Sequence, residues 1–166
     1  GTIFKVYIPA IKHETLKKLE ESSPKRKKSS KFETFECLEK VSGKIIIVDD
    51  EEPICKFLTK CFSKWGFESS VAHDAKSAFK KFQTHVETGE PPILAILDLT
   101  IPGSVGGEEI LKEFRKYCPN LKAIVSSGYG SKPVMSKYRE YGFDARLKKP
   151  YSVDKLRKVL ISLLCC

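Results

Sequence analysis

Three aspartates close two short apolar runs: Ile45-Ile46-Ile47-Val48 leads into Asp49-Asp50, and Ile93-Leu94-Ala95-Ile96-Leu97 leads into Asp98. Carboxylates gathered at one place repel one another and call for a cation. An all-oxygen donor set with room for water suits Mg²⁺, which takes one or two protein carboxylates and fills its other positions with water and phosphate oxygens. A carboxylate beside such an ion is a competent nucleophile toward a phosphoryl group, and Asp98 is the candidate. Two further pieces suit the same chemistry. Ser126-Ser127-Gly128 follows a later apolar run and offers a hydroxyl, and Lys148-Lys149-Pro150 offers an ammonium that binds phosphate as a point charge.

For these groups to meet, the runs before them must be neighbouring strands that end at one edge of a sheet. From Lys44 onward the pattern alternates strand and helix five times with short connections, which predicts a doubly wound parallel sheet. Strands are expected at 44–48, 67–72, 93–97, 121–125 and, weakest in pattern, 143–147. The first helix carries Ile54, Phe57, Leu58, Cys61, Phe62 and Trp65 on one face and stops at Gly66. The second, over 75–86, turns Ala78, Phe79 and Phe82 inward. The third starts at Glu108-Glu109, where acids suit the helix dipole, and buries Ile110, Leu111 and Phe114. Pro133 opens the fourth, and the last places Val153, Leu156, Val159, Leu160, Leu163 and Leu164 on its core side. In a 2-1-3-4-5 strand order, all the reactive groups reach the carboxyl edge near the switch point between the first and third strands.

The 166 residues suffice for one domain of ordinary size plus a tail, and 41% hydrophobic with 31% charged residues excludes a wholly disordered chain. No apolar stretch approaches a membrane span, and the start lacks the features of a signal peptide, so a cytoplasmic location is expected. The net charge of +9 is spread as +1 over residues 1–10, +3 over 11–42 and +5 over 43–166, a basic surface and not a nucleic-acid stripe. Residues 10–42 are rich in Lys, Glu and Ser around Ser22-Ser23-Pro24-Lys25-Arg26-Lys27-Lys28 and read as a flexible basic linker. The six cysteines form no metal-binding pattern and are expected as free thiols. His13, His73 and His85 are scattered, and none is taken as a phosphodonor.

Residues 43–166 resemble the receiver domain of two-component response regulators. The resemblance rests on Ile-Ile-Val-Asp49-Asp50-Glu51, Leu-Asp98-Leu-Thr-Ile-Pro102-Gly103, Ala-Ile-Val-Ser-Ser127-Gly128-Tyr129 and Lys149-Pro150-Tyr151, in the family's order and spacing. It implies a flavodoxin-like five-stranded fold in which Asp98 accepts a phosphoryl group from a kinase phosphohistidine. Asp49, Asp50 and Asp98 would hold Mg²⁺ with the Thr100 backbone carbonyl. Ser127 would hydrogen-bond the phosphoryl group and Lys149 would pair with one of its oxygens across a cis Lys149-Pro150 bond, while Gly128 leaves the donor room. One position departs from the pattern: Arg146 stands where the family often has a Tyr or Phe that swings on activation.

Gly1-Thr2-Ile3-Phe4-Lys5-Val6-Tyr7-Ile8-Pro9 is similar to the closing strand of a histidine-kinase ATP-binding domain. With the linker and the receiver, it implies the C-terminal part of a hybrid sensor histidine kinase, organised as strand remnant 1–9, linker 10–42 and receiver 43–166. Such a chain is a phosphoacceptor that assists its own phosphorylation and lacks the kinase core. Its expected partners are the kinase's phosphohistidine domain and a histidine phosphotransfer protein, with no nucleic acid and no membrane in this segment. Two alternatives stand beside this reading. A receiver-like interaction module would work unphosphorylated, and an aspartate-nucleophile phosphatase of the haloacid dehalogenase type would need an acid two residues past Asp98, where this chain has Thr100.

Overall fold

The computed structural model describes residues 37–101, 105–128 and 133–165. Five strands, β1 (Lys44–Val48), β2 (Glu68–Ala72), β3 (Leu94–Asp98), β4 (Lys122–Ser127) and β5 (Ala145–Lys148), form one sheet in the order β2-β1-β3-β4-β5, with every pairing parallel. The helices between and after them are α1 (Glu52–Lys64), α2 (Ala75–Glu87), α3 (Gly107–Tyr117), α4 (Pro133–Ser136) and α5 (Val153–Leu164). This is the doubly wound architecture that the strand–helix alternation predicts.

Side-chain alternation along the strands sends two sets of apolar residues to opposite faces. Ile46, Val48, Ala95, Leu97, Ala123 and Val125 pack under α2 and α3, where Phe82 stacks on Phe114 with ring centroids 3.9 Å apart. Ile45, Ile47, Leu94, Ile96, Ile124 and Leu147 pack under α1 and α5. Burial on both faces explains why β1 and β3 read as unbroken apolar runs. The helices start and stop where local chemistry dictates. Asp74 caps α2 by accepting from the Ser77 N–H at 2.8 Å, and Ser152 caps α5 by accepting from the Lys155 N–H at 3.3 Å. Past α1, Gly66 takes a φ of +83°, a conformation that residues with a Cβ rarely adopt.

Beside shifts of one or two residues at the ends of β2, β3 and β4, the structure departs from the sequence reading in five respects. β5 runs over Ala145–Lys148, two residues fewer at its start, because Phe143 is used to fill the core beside α3 and its N–H bonds the Tyr138 carbonyl at 3.0 Å. The fourth helix is a single four-residue turn. Val153, expected inward, is 40% exposed because it is the first residue of α5, ahead of the turn that meets the sheet. Residues 37–41 fall within the expected linker but pack on the domain, with Leu38 only 4% exposed in the α1–α5 cluster. Finally, Cys37 and Cys165 are joined in a disulfide with Cα atoms 6.0 Å apart, whereas Cys55, Cys61 and Cys118 are free. Pairing across 128 residues has no local signature, so spacing alone did not disclose it. Residues 1–36 and Cys166 lie outside the described residues, and with them the proposed strand remnant, most of the linker and His13. Among the described residues, no helix is long and apolar enough to cross a membrane.

Candidate functional site

Strand register builds the site. β1 and β3 pair with Val48 beside Leu97, so Asp49 and Asp98, the next residues on each strand, meet at the carboxyl edge. β3 and β4 pair Asp98 with Ser126, and β4 and β5 pair Ser127 with Lys148, which brings Lys149 to the same edge. The Lys149 N–H bonds the Ser127 carbonyl at 2.9 Å, and the Lys149-Pro150 peptide is cis.

Asp49, Asp50 and Asp98 each offer a carboxylate oxygen, all within 4.8 Å of one another. Asp49 and Asp98 are buried and Asp50 is exposed. The Lys149 ammonium reaches into this group, 2.7 Å from Asp49 Oδ2, 2.8 Å from Glu51 Oε1 and 3.2 Å from Asp98 Oδ2. Backbone N–H groups hold the acids from below: Glu51 N–H donates to Asp49 Oδ1 at 3.0 Å, and Thr100 N–H to Asp98 Oδ1 at 3.4 Å. Thr100 therefore stands two residues past Asp98 with its backbone at the cluster.

Burial pushes the Asp49 carboxyl above its usual range, against the opposing pull of the Lys149 ammonium and the Glu51 N–H. Burial also acts to lower Lys149, but its close contacts with Asp49 and Glu51, with the charge of Asp98, outweigh that and raise the ammonium above an ordinary lysine. Lys149 is thus a fixed positive charge across the physiological range. Asp49 Oδ2 is buried and, although in charge contact with Lys149, receives no aligned hydrogen bond. A buried carboxylate oxygen with free acceptor capacity, in a cluster of three acids, is the donor set that a hard divalent cation fits.

Two neighbours were not singled out in the sequence. Glu51, the third acid of the Asp49-Asp50-Glu51 motif and given no role there, meets Lys149 at 2.8 Å. His73, at the end of β2, places Nδ1 2.9 Å from the Asp49 carbonyl and Nε2 3.3 Å from Glu52, a proximity that only the β1–β2 pairing creates. On the far side of the cluster, α3 starts against β3. A Cβ on Gly107 would lie 2.6 Å from the Asp98 carbonyl oxygen, so only glycine permits this approach. A Cβ on Gly128 would meet nothing within 4 Å among the described residues, which leaves that flank open. Arg146 donates to the Met135 carbonyl and sits 5.6 Å over the Tyr138 ring, so β5 is tied to α4 by a cation in place of an aromatic side chain.

The family model for the response regulator receiver domain matches residues 45–161. Sporulation initiation phosphotransferase F of Bacillus subtilis (strain 168) is 32% identical over 117 residues, covering 70% of this chain and 90% of that protein. Sensor kinase CckA of Brucella abortus (strain 2308) is 26% identical over 167 residues, which is 99% of this chain but only 16% of the kinase's length. The crystal structure of the receiver domain of NtrX from Brucella abortus superposes with a TM-score of 0.64 at 30% identity, over 72% of this chain and 97% of that one.

Proposed function

Because this chain belongs to the response regulator receiver domain family, we propose that Asp98 is its phosphoacceptor and that the group arrives from a kinase phosphohistidine. One observation carries the reading: a single fixed ammonium, Lys149, is held within 3.2 Å of Asp98 Oδ2 among carboxylates gathered at the ends of β1 and β3. In the transfer, a carboxylate oxygen of Asp98 forms a bond to phosphorus while the bond from phosphorus to the imidazole nitrogen breaks. The electron pair leaves with the imidazole.

The chain's own groups do most of the work. Lys149 keeps its proton and stays beside Asp98, so it is already placed to pair with a phosphoryl oxygen. The Thr100 N–H orients the Asp98 carboxylate, and the Ser127 hydroxyl at the end of β4 is the hydrogen-bond donor for the transferred group. Gly128 keeps the approach clear for the donor. Asp49, Asp50 and Asp98, with the Thr100 carbonyl, would hold Mg²⁺, which supplies the positive charge that lets an anionic phosphoryl group approach carboxylates.

The wider context is proposed on the same footing. The alignment with a sensor kinase runs over 99% of this chain, including residues ahead of the receiver, and supports an origin in the C-terminal part of a hybrid sensor histidine kinase. In that arrangement residues 1–9 close an ATP-binding domain, 10–42 run between the domains and dock on the receiver at 37–41, and 43–166 receive. The partners are then a phosphohistidine domain and a histidine phosphotransfer protein, and the activity belongs in the cytoplasm.

The test is Mg²⁺-dependent phosphoryl uptake from a small phosphodonor, read by intact-protein mass for wild type and Asp98→Asn. Uptake by wild type alone supports the assignment. Equal uptake by both would move the acceptor elsewhere, and failure of wild type with a kinase phosphohistidine as donor as well would favour an interaction module.

A further inference from the structure

We propose that Cys37 and Cys165 are a reversible thiol–disulfide site that sets the working length of the chain ahead of the receiver fold. The bond joins the segment before β1 to the residue that follows α5. Around it the segment is lightly held. Two turn bonds, from Lys40 N–H to the Cys37 carbonyl at 3.1 Å and from Val41 N–H to the Leu38 carbonyl at 3.2 Å, fold residues 37–41 on themselves. Leu38 is its one fully buried apolar anchor, reaching the cluster that contains Phe62, Leu156 and Leu160. A surface groove of about 280 Å³ lies beside that anchor, lined in part by Leu38, Lys64, Trp65 and Arg157. With Leu38 buried and Val41 only half-buried against the same cluster, the covalent bond decides whether the segment stays docked.

Both bridged cysteines are half-buried and within reach of a small reagent, whereas Cys55 and Cys61 are buried. Burial also pushes the Cys55 thiol up to about 11, which keeps it unreactive. Closure proceeds by exchange with a low-molecular-weight disulfide such as oxidised glutathione. One cysteine thiolate attacks it, forming a mixed disulfide and expelling a glutathione thiolate. The second cysteine thiolate displaces the other glutathione and completes the Cys37–Cys165 bond. Two electrons pass from the cysteines to glutathione disulfide, and the two thiol protons end on two molecules of glutathione. Reduction reverses each step.

When the bond opens and Leu38 lifts out, residues 37–42 become free to extend over up to ~20 Å, while the Gly43 carbonyl stays bonded to the Glu68 N–H. On the reading that the chain receives its phosphoryl group from a domain upstream, that change alters the effective concentration of Asp98 at the donor.

The experiment uses the 166-residue chain, equilibrated across reduced-to-oxidised glutathione ratios, acid-quenched, labelled with a maleimide and weighed. Labelling is expected to fall by two thiols as the ratio turns oxidising, with a Cys37–Cys165 peptide recovered. Cys37→Ser and Cys165→Ser should abolish the change, and Cys166→Ser should keep it. Trypsin cleavage after Lys40 in wild type should be at least ~10-fold faster in the reduced form, since local release exposes the backbone. A thiol count that never changes across the ratios, a cross-linked peptide to another cysteine, or equal cleavage rates would each overturn the proposal. Phosphoryl uptake from a small donor needs no tether and should be equal in both redox forms. Its failure in both would count against the receiver assignment and leave the thiol results standing.

Discussion

The two ends of the same sheet carry ionic clusters of opposite design. At the amino edge, Arg115 donates to the Leu121 and Gly142 carbonyls and meets Asp144 at 2.9 Å. Asp144 in turn accepts from the Ala123 N–H at 2.9 Å and faces Lys122 at 3.8 Å. There two cations share one carboxylate, and the rest of the Arg115 bonds go to backbone carbonyls. At the carboxyl edge, Asp49, Glu51 and Asp98 share one cation, Lys149, with the Asp50 carboxylate beside them, and a buried oxygen of Asp49 lacks an aligned hydrogen bond. A cluster that joins elements pairs its polar groups with one another and with the backbone. A cluster left in acid excess carries a cost in the resting chain that only a ligand offsets.

That contrast can be broken most sharply at Lys149. Lys149→Met should reduce phosphoryl uptake from a small donor by ~10²-fold, the scale of losing one preorganised electrostatic contact. Intact mass follows the uptake, and an unchanged rate would mean that the ammonium is only a structural counter-ion. Gly107→Ala comes next. Its methyl group must push α3 off the Asp98 carbonyl, which should cost about 1–3 kcal/mol in urea unfolding and slow uptake as Asp98 shifts. Wild-type stability would show that the helix start yields freely.

Arg115→Met probes the other edge, and its effect should fall on stability alone. The loss should be about 1–3 kcal/mol, from carbonyls and a half-buried carboxylate left short of donors. Uptake per folded molecule should stay at the wild-type rate, and a matching loss of uptake would erase the distinction between the two clusters.

Asp49→Asn gives the smallest and least usual effect. Burial holds the folded Asp49 carboxyl above its unfolded value near 3.8, so the unfolded chain releases this proton first as pH rises. The group's stabilising contribution is therefore complete below the unfolded value and is lost as pH rises through the folded one. At neutral pH in a chelator, the ionised carboxyl weakens the fold, and Asp49→Asn should melt a few degrees higher than wild type. The gap should close as pH falls below about 4. A lower melting point for the variant at neutral pH would show that the Lys149 contact outweighs burial.

The sheet was legible because its strands are buried on both faces and its helices carry regular apolar stripes, which are local patterns. The residues Asp49, Asp98, Ser127 and Lys149 were legible because each ends a strand, and a parallel sheet brings strand ends together. What stayed hidden depends on distance along the chain. The Arg115–Asp144 pair spans 29 residues, His73 reaches Asp49 only through the β1–β2 pairing, and Cys37 finds Cys165 across 128. Strand limits failed where packing overrode pattern: Phe143 looks like strand and serves as core. Gly107, just ahead of the expected helix start at Glu108, carries no local signal of its role, which is the narrow gap between α3 and Asp98.

The alternation of faces along each strand has a consequence for how this chain tolerates change in length. Asp98 follows Leu94 and Ile96 in parity, and Asp49 follows Ile45 and Ile47, so both acids belong to the α1–α5 face of the sheet. Deleting Ala95 with the start of β3 held in register would move the residues after it back one place, sending Ile96 and Asp98 to the opposite face and leaving Leu99 in the acid's position. A two-residue deletion would restore the parity but pull the carboxylate back from the edge. Substitutions in β1 and β3 can therefore accumulate while their apolar character is kept. Insertions and deletions have room only in the connections, and the spacing between strand and acid is inherited as a unit.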